Sequence, residues 1–487
     1  MYRKLYQELL EWKNESQGKS AIMIDGARRV GKSYLAEEFA KNEYNSYILI
    51  DFYVASTEVK ELFEKYLDDL DTFFMRISAY YSVKLYERKT IFIFDEVQFF
   101  PRARAAIKYL VADGRYDYLE TGSLLSIKKN IQNILIPSEE HHLKMNPMDF
   151  EEFLLALKEE ALFSVIKQCF EKKQPMGQAL HRKAMDLFRL YLIVGGMPQA
   201  VNEYCLSKNF EKVDSIKRQI LELYRNDIQK HAKGSELKAQ SIFDEIPAQL
   251  SKHEKKFKIS SLKKEARMRD YDDAFMWLSD SRIVNICYNS DEPNIGLKLN
   301  MTRTTLKCYM ADTGLLISHA FDEKGLVSEE VYKKLLFGKL ELNEGMIFEN
   351  IVSQMLVATG RKLYFYSKSD NKDASSRMEI DFLIAKNKTT SRHNIQPLEV
   401  KSSKRYSFLS LVKFKKKYTE YIDVCYILHT SDLKIEESRL ITFEDGWIIV
   451  IFFICLMQHS PKFSFGLYFT LLFKNYVFAG KGKATII

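Results

Sequence analysis

The stretch Ile22 to Leu35, IMIDGARRVGKSYL, constrains this chain more than any other. Ile22, Met23 and Ile24 read as a buried strand ending at Asp25, and Tyr34 to Lys41 read as helix. Between them Gly26, Ala27, Arg28, Arg29, Val30, Gly31, Lys32 and Ser33 fit the spacing G-x-x-x-x-G-K-[ST] without a mismatch. In such a strand, turn and helix, the glycines let backbone N–H groups turn inward around an anion at the helix's positive end. The lysine then carries a compact charge to the outer phosphates. A surface Gly-Lys turn is the competing reading.

A second run, Thr90 to Glu96 (TIFIFDE), is β-rich and apolar and ends in two carboxylates, as expected of a parallel strand buried on both faces. At that strand's carboxyl end Asp95 suits the magnesium shell, and Glu96 suits the orientation of an attacking water. With the Lys32 loop this pair predicts nucleotide binding. Gln98 reads either as a second group on that water or as a solvated loop residue. Tyr116 to Glu120 leads into Thr121-Gly122-Ser123, where Thr121 or Ser123 could sense the γ-phosphate, although T-G-S is also a common turn. Strands alternating with helices, including Tyr47 to Asp51, predict an α/β parallel sheet with ligands at the strands' carboxyl ends.

At 487 residues the chain calls for two or three domains. A hydrophobic share of 46% with 28% charged residues excludes a disordered chain, and a net charge of +8 permits an anionic partner without demanding one. Six scattered cysteines without a C-x-x-C pair read as reduced thiols, and the charged opening lacks an apolar signal core, so a cytoplasmic setting is expected. Leu5, Leu9 and Trp12 recur at helical spacing, which predicts a helix packed on the nucleotide domain. Asp149 can cap a helix carrying Phe150, Phe153, Leu154 and Leu157 on one face, and the text stays helical to Gln240 apart from Gly195 to Pro198. From Ser260 to Met310 the order is short helix through Met268, turn, helix, then a β-hairpin, which is the order of a winged helix. Residues 252–269 hold eight Lys or Arg against two Glu, suited to the phosphates of DNA or to a solvated face.

Further on, Glu349 lies on a helix, Asp381 on the strand 379–384 and Glu399 and Lys401 on the strand 397–401. Residues i and i+2 of a strand share a face, so Glu399 and Lys401 stand side by side. With Asp381 on a hairpin partner and Glu349 as a further ligand, this set suits a shared divalent metal, with the lysine activating its water. The bland alternative is a surface salt bridge.

GARRVGKS, IFIFDEVQ and the T-G-S strand end resemble prokaryotic AAA-type P-loop ATPases, and FRLYLIVGGMPQAV, YMADTGLL, EIDFLI and LEVKSS resemble that family's C-terminal extension. The resemblance implies a P-loop ATPase domain over 1–165, a helical and winged-helix segment over 166–330, and an α/β restriction-endonuclease-like domain over 331–445. It implies ATP and Mg2+ as cofactors, with Lys32, Ser33 and Asp95 on phosphate and magnesium, Glu96 in hydrolysis, and Glu349, Asp381, Glu399 and Lys401 as the nuclease quartet. ATP, DNA and further copies of the chain are the implied partners, and among Arg102, Arg104, Arg115 and others the choice of an intersubunit arginine stays open. Residues 446–487 depart from the pattern. Neither apolar run there reaches the about 20 residues a spanning helix needs. No stable membrane insertion is expected, and the tail reads as a non-native or frame-shifted end, or else as one that touches a membrane.

Overall fold

A computed structural model describes residues 1–122, 138–232, 234–252, 255–294, 296–321, 329–336, 344–368, 377–385, 394–402, 406–422, 424–436 and 448–452. The chain opens with α1 (Leu5–Ser16), whose Leu5, Leu9 and Trp12 are buried as their spacing predicts. Then follow β1 (Ala21–Gly26), α2 (Lys32–Glu43), β2 (Ser46–Asp51), α3 (Thr57–Lys65), α4 (Leu70–Tyr81), β3 (Thr90–Asp95), α5 (Pro101–Asp113), β4 (Asp117–Gly122) and β5 (Glu140–Met145). Among the described residues these strands form one parallel sheet in the order β2-β3-β4-β1-β5. β1, β3 and β4 are buried throughout, which is why β1 and β3 read as apolar runs up to their terminal carboxylates; β4 (DYLETG) is buried although it carries Asp117 and Glu120. β5 was not legible: as an edge strand its EHHLKM text is mostly exposed and polar.

A helical block comes next: α6 (Phe150–Ala156), α7 (Glu160–Glu171), α8 (Gln178–Val194), α9 (Pro198–Ser207), α10 (Phe210–His231), α11 (Glu236–Ser251) and α12 (Asp272–Asp280). Asp149 does cap α6, in a reciprocal capping box with Glu152. The helix expected over 260–268 is instead short 3-10 turns at Ile259–Ser261 and Met268–Tyr271. There the Gln249 side chain donates to Ser261 Oγ (2.5 Å) and accepts from the Lys258 N–H (3.2 Å), drawing the segment out of helical register.

The hairpin expected as a wing, β6 (Val284–Ser290) and β7 (Met301–Met310), is the edge of a second sheet. The other elements are α13 (Thr313–Ala320), α14 (Glu329–Leu336), α15 (Glu344–Ala358), β8 (Leu363–Lys368), β9 (Met378–Ala385), β10 (Ile395–Lys401), α16 (Leu409–Lys417), β11 (Cys425–His429), β12 (Lys434–Glu436) and β13 (Ile448–Phe452). The described strands run in the order β12-β13-β11-β10-β9-β8-β6-β7. β13 draws part of the apolar tail into this sheet, parallel to β11. No described helix is long and apolar enough to cross a membrane.

One apolar core runs without a break from the inner face of the first sheet through the helical block to the second. At its centre is the buried carboxylate of Asp312. Its oxygens accept the N–H groups of Gly196 (2.6 Å) and Leu315 (2.9 Å), and Gln354 Nε2 stands 3.4 Å away. The approach leaves no room for side chains: a Cβ on Gly314 would lie 2.6 Å from the Gly195 backbone, and Gly195 itself has φ +83°.

Lys217, fully buried on α10, donates to the Ile193 carbonyl at 2.8 Å, and its ammonium lies 5.0 Å from the Tyr332 ring centroid. Burial pushes it down to about 8, against the opposing pull of Asp214 and Asp312, while Arg218 adds to the lowering. An unfolded lysine titrates near pH 10.4, so between pH 8 and that value the unfolded chain binds more protons and stability rises with pH. The wild type should therefore gain roughly 2 to 3 kcal/mol on a Lys217→Met variant between pH 8 and pH 10, measured as the difference in urea unfolding at each pH. A difference that stays flat across that window contradicts the assignment.

Candidate functional site

The phosphate loop leaves β1 at Gly26 and enters α2 at Lys32. Arg29 (φ +67°) and Gly31 (φ +96°) turn its backbone through the left-handed region. Lys32 is buried, with Nζ donating to the carbonyls of Gly26 and Ala27 at 3.0 Å each. Burial lowers its pKa, opposed by Glu96, Asp25 and Asp95. Sheet order explains the rest. β4 lies between β1 and β3, so its end meets both the loop and the acidic strand end. Ser33 Oγ donates to Asp95 Oδ1 at 2.8 Å, the Thr121 hydroxyl donates to the same oxygen, and the Glu96 N–H reaches Thr121 Oγ1 at 3.3 Å. Gln98 donates to the Glu96 carboxylate. Thus Lys32, Ser33, Asp95, Glu96 and Thr121 come together, while Ser123 lies outside the described residues.

Residues far away in sequence hold this site. Arg3 donates to the Val30 carbonyl (2.7 Å) and the Asn146 carbonyl (2.5 Å), and pairs with Glu152 (3.1 Å). On the other side Asp227 pairs with Arg28 (2.7 Å), Tyr224 donates to the Arg28 carbonyl (3.2 Å), and Arg282 pairs with Asp25 (3.1 Å). Trp277 and His231 line the same cleft as Lys32 and Glu96. No sequence signal marked these partners: Asp227, Tyr224 and Arg282 lie 199, 196 and 257 positions from the groups they meet, and Arg3, 27 positions before Val30, carried no motif. Arg102, Arg104 and Arg115 are engaged inside the first domain: Arg102 with the Phe63 carbonyl, Arg104 with Glu140, and Arg115 with Asp113 and Asp71.

The second constellation also assembles. α15 brings Glu349, β9 brings Asp381, and β10 brings Glu399 and Lys401, whose ammonium lies 2.8 Å from Glu399. Asp381 Oδ2 accepts the Val400 N–H at 2.9 Å. Burial pushes the Glu399 carboxyl up to about 7 against the pull of Lys401.

An unforeseen group stands in the middle. Lys307 of β7, 1% exposed, reaches Glu379 (3.0 Å), Glu349 (3.5 Å) and Asp381 (3.5 Å). Burial alone would lower the pKa of this ammonium, but the three carboxylates outweigh it and raise it well above the ordinary range. Lys255 also pairs with Glu349, and Tyr309 donates to it at 3.0 Å. Among the described residues no three acidic, His or Cys side chains are placed to share one metal ion. The signal for Lys307 was a single lysine in an apolar strand, and for Glu379 its place two residues before Asp381.

Residues 18–154 match the family described as an AAA domain. Residues 185–324 and 344–445 match two families each described as a domain of unknown function, DUF8612 and DUF4143. No curated protein matches. Among solved structures the chain is similar to the Aeropyrum pernix Orc1 protein in complex with DNA, at 12% identity over 66% of this chain and 93% of that one, TM-score 0.27. Cdc6p from Pyrobaculum aerophilum gives 10%, 69% and 94%, TM-score 0.25, and Drosophila ORC bound to DNA gives 16%, 68% and 94%, TM-score 0.26. Likenesses at these TM-scores carry no weight for this chain. The parallel sheet and the loop give the N-terminal body a P-loop ATPase-like α/β fold, in keeping with the AAA-domain match over residues 18–154. It is followed by two segments of unknown function, and the second sheet takes strands from both.

Removing Lys307 leaves three clustered carboxylates without their shared cation. Lys307→Met should destabilise the chain by about 3 kcal/mol or more, and adding Glu379→Gln should recover part of the loss. Denaturant midpoints of the three proteins check this, and an unchanged midpoint for Lys307→Met contradicts it.

Proposed function

We propose that the chain is a cytoplasmic, Mg-dependent ATPase whose nucleotide state is transmitted to its C-terminal carboxylate module. The observation that carries this reading is the convergence of Lys32, Ser33, Asp95 and Thr121 at the carboxyl edge of one parallel sheet, with Glu96 beside them. The donor set fits magnesium: a hydroxyl and a carboxylate 2.8 Å apart, Ser33 and Asp95, would hold it. Bound magnesium supplies charge neutralisation to the phosphate oxygens. Lys32 would leave its loop carbonyls for those oxygens, and Glu96, now held by Gln98, would orient the attacking water. Arg28 and Asp25, each paired across the cleft, would carry the change into the helical block.

For the C-terminal module the family resemblance suggests binding of DNA, with Asp381, Glu399, Lys401 and Glu349 as a metal-dependent cutting set; as placed, its acids do not form one metal site among the described residues. The exposed Lys258, Lys263, Lys264, Arg267 and Arg269 would contact phosphates. A second reading, a nucleotide-dependent switch whose module binds without cutting, is favoured by Lys307. Its ammonium already pairs with two of the acids a metal would use, Glu349 and Asp381, and with Glu379 beside them. Assembly into homo-oligomers belongs to the same proposal.

Two assays test these readings. Purified protein should hydrolyse ATP with magnesium, and Lys32→Ala should lose at least about tenfold of that rate; equal rates contradict the ATPase reading. On supercoiled DNA with magnesium, nicking by the wild type but not by Lys401→Ala supports the nuclease, whereas nicking by neither leaves the binding module.

A further inference from the structure

We propose that Arg28 is the loop's phosphate-sensing cation and Asp227 its resting counter-ion, so that a nucleotide's phosphate chain and the Asp227 carboxylate compete for one guanidinium. The proposal rests on the nucleotide reading above and adds a residue pair to it.

Arg28 sits two residues into the loop and lines the same cleft as Lys32 and Glu96. The two loop cations stand differently. Lys32 is buried and turned back onto the carbonyls of Gly26 and Ala27, whereas the Arg28 side chain is 37% exposed to the cleft. A guanidinium presents a planar fork of donors that matches carboxylate and phosphate equally well. The fork now meets Asp227 at 2.7 Å. Phosphate oxygens entering the loop would offer the same geometry with more charge.

The counter-ion belongs to another body of the molecule. Asp227 is on α10, and one turn earlier Tyr224 of the same helix donates to the Arg28 carbonyl at 3.2 Å. α10 therefore holds both the side chain and the backbone of one loop residue. Asp227 is only 16% exposed, and a carboxylate that loses its partner at that depth is costly. It must shift towards water or towards Lys230 and His231 on its own helix, which also act on it. Glu96, across the cleft, repels it. Loss of Arg28 to phosphate thus pushes on α10, which two to three turns earlier carries Lys217 beside Asp312.

Competition has a signature that a bracing role lacks: removing the counter-ion's charge strengthens the ligand. An apparent affinity is reduced by the fraction of sites held in the competing state. Calorimetric titration of the full chain with Mg-ATP should show Asp227→Asn binding about fivefold tighter than wild type and Arg28→Gln about tenfold weaker. In the double variant Asp227→Asn should add nothing to Arg28→Gln. Asp227→Asn binding no tighter than wild type, or tightening equally without Arg28, overturns the proposal. If Asp227→Asn does not fold, Arg28→Gln decides: a tenfold loss supports the proposal and an unchanged affinity overturns it. Failure of the wild type itself to bind Mg-ATP is a distinct result that sinks the nucleotide reading, and this proposal with it.

Discussion

A carboxylate buried to the last atom has to be answered on every side, and Asp312 is where this chain answers one. Backbone N–H groups from Gly196 and Leu315 and the amide of Gln354 surround it, with Lys217 within electrostatic reach. Burying an ion without such partners costs several kcal/mol, so the groups that satisfy it are locked relative to one another. They come from three places: the α8–α9 turn, the start of α13, and α15. The same turn brings the Met148 N–H to the Gly196 carbonyl at 2.7 Å and so reaches the segment just after β5. Through this one residue the first sheet, the helical block and the second sheet share a joint.

Two helices run outward from that joint to the two chemical sites. α10 carries Lys217 near Asp312 and, two to three turns on, Tyr224 and Asp227 against the phosphate loop. α15 carries Gln354 and Asn350 at the joint and Glu349 in the carboxylate cluster, one residue from Asn350. Under the proposed function, displacement of such a helix at the loop would be the physical route by which nucleotide state reaches the far module.

Legibility in the sequence followed the distance between cooperating residues. The loop from Gly26 to Ser33 and the pair Asp95-Glu96 were readable because their chemistry is contiguous and their strands are buried on both faces. The quartet Glu349, Asp381, Glu399 and Lys401 was readable as a set from strand alternation and family resemblance; the fold places its members around Lys307 and Lys401, but not as three acids sharing one metal among the described residues. The groups acting on these residues were not. Arg28 and Asp227 are 199 positions apart, and Arg3 and Glu152 are 149 apart. Lys307 looked like an ordinary polar interruption because only the pairing of β6 with β8 places its hairpin over the acids. That parallel pairing also hid the extent of the second sheet, which begins before residue 330. Polar β5 and the 3-10 turns at 259–271 went unread for a local reason: edge exposure and side-chain competition for backbone groups outweigh propensity there.

The account stands on nucleotide occupying the loop and being felt by α10. Hydrogen exchange of the full chain, with and without millimolar Mg-ATP, reads both at once. The amides of residues 26–33 should exchange more slowly with nucleotide, and those of α10 near Tyr224 to His231 should change in the same sample. Identical exchange in both segments with and without Mg-ATP would contradict the account.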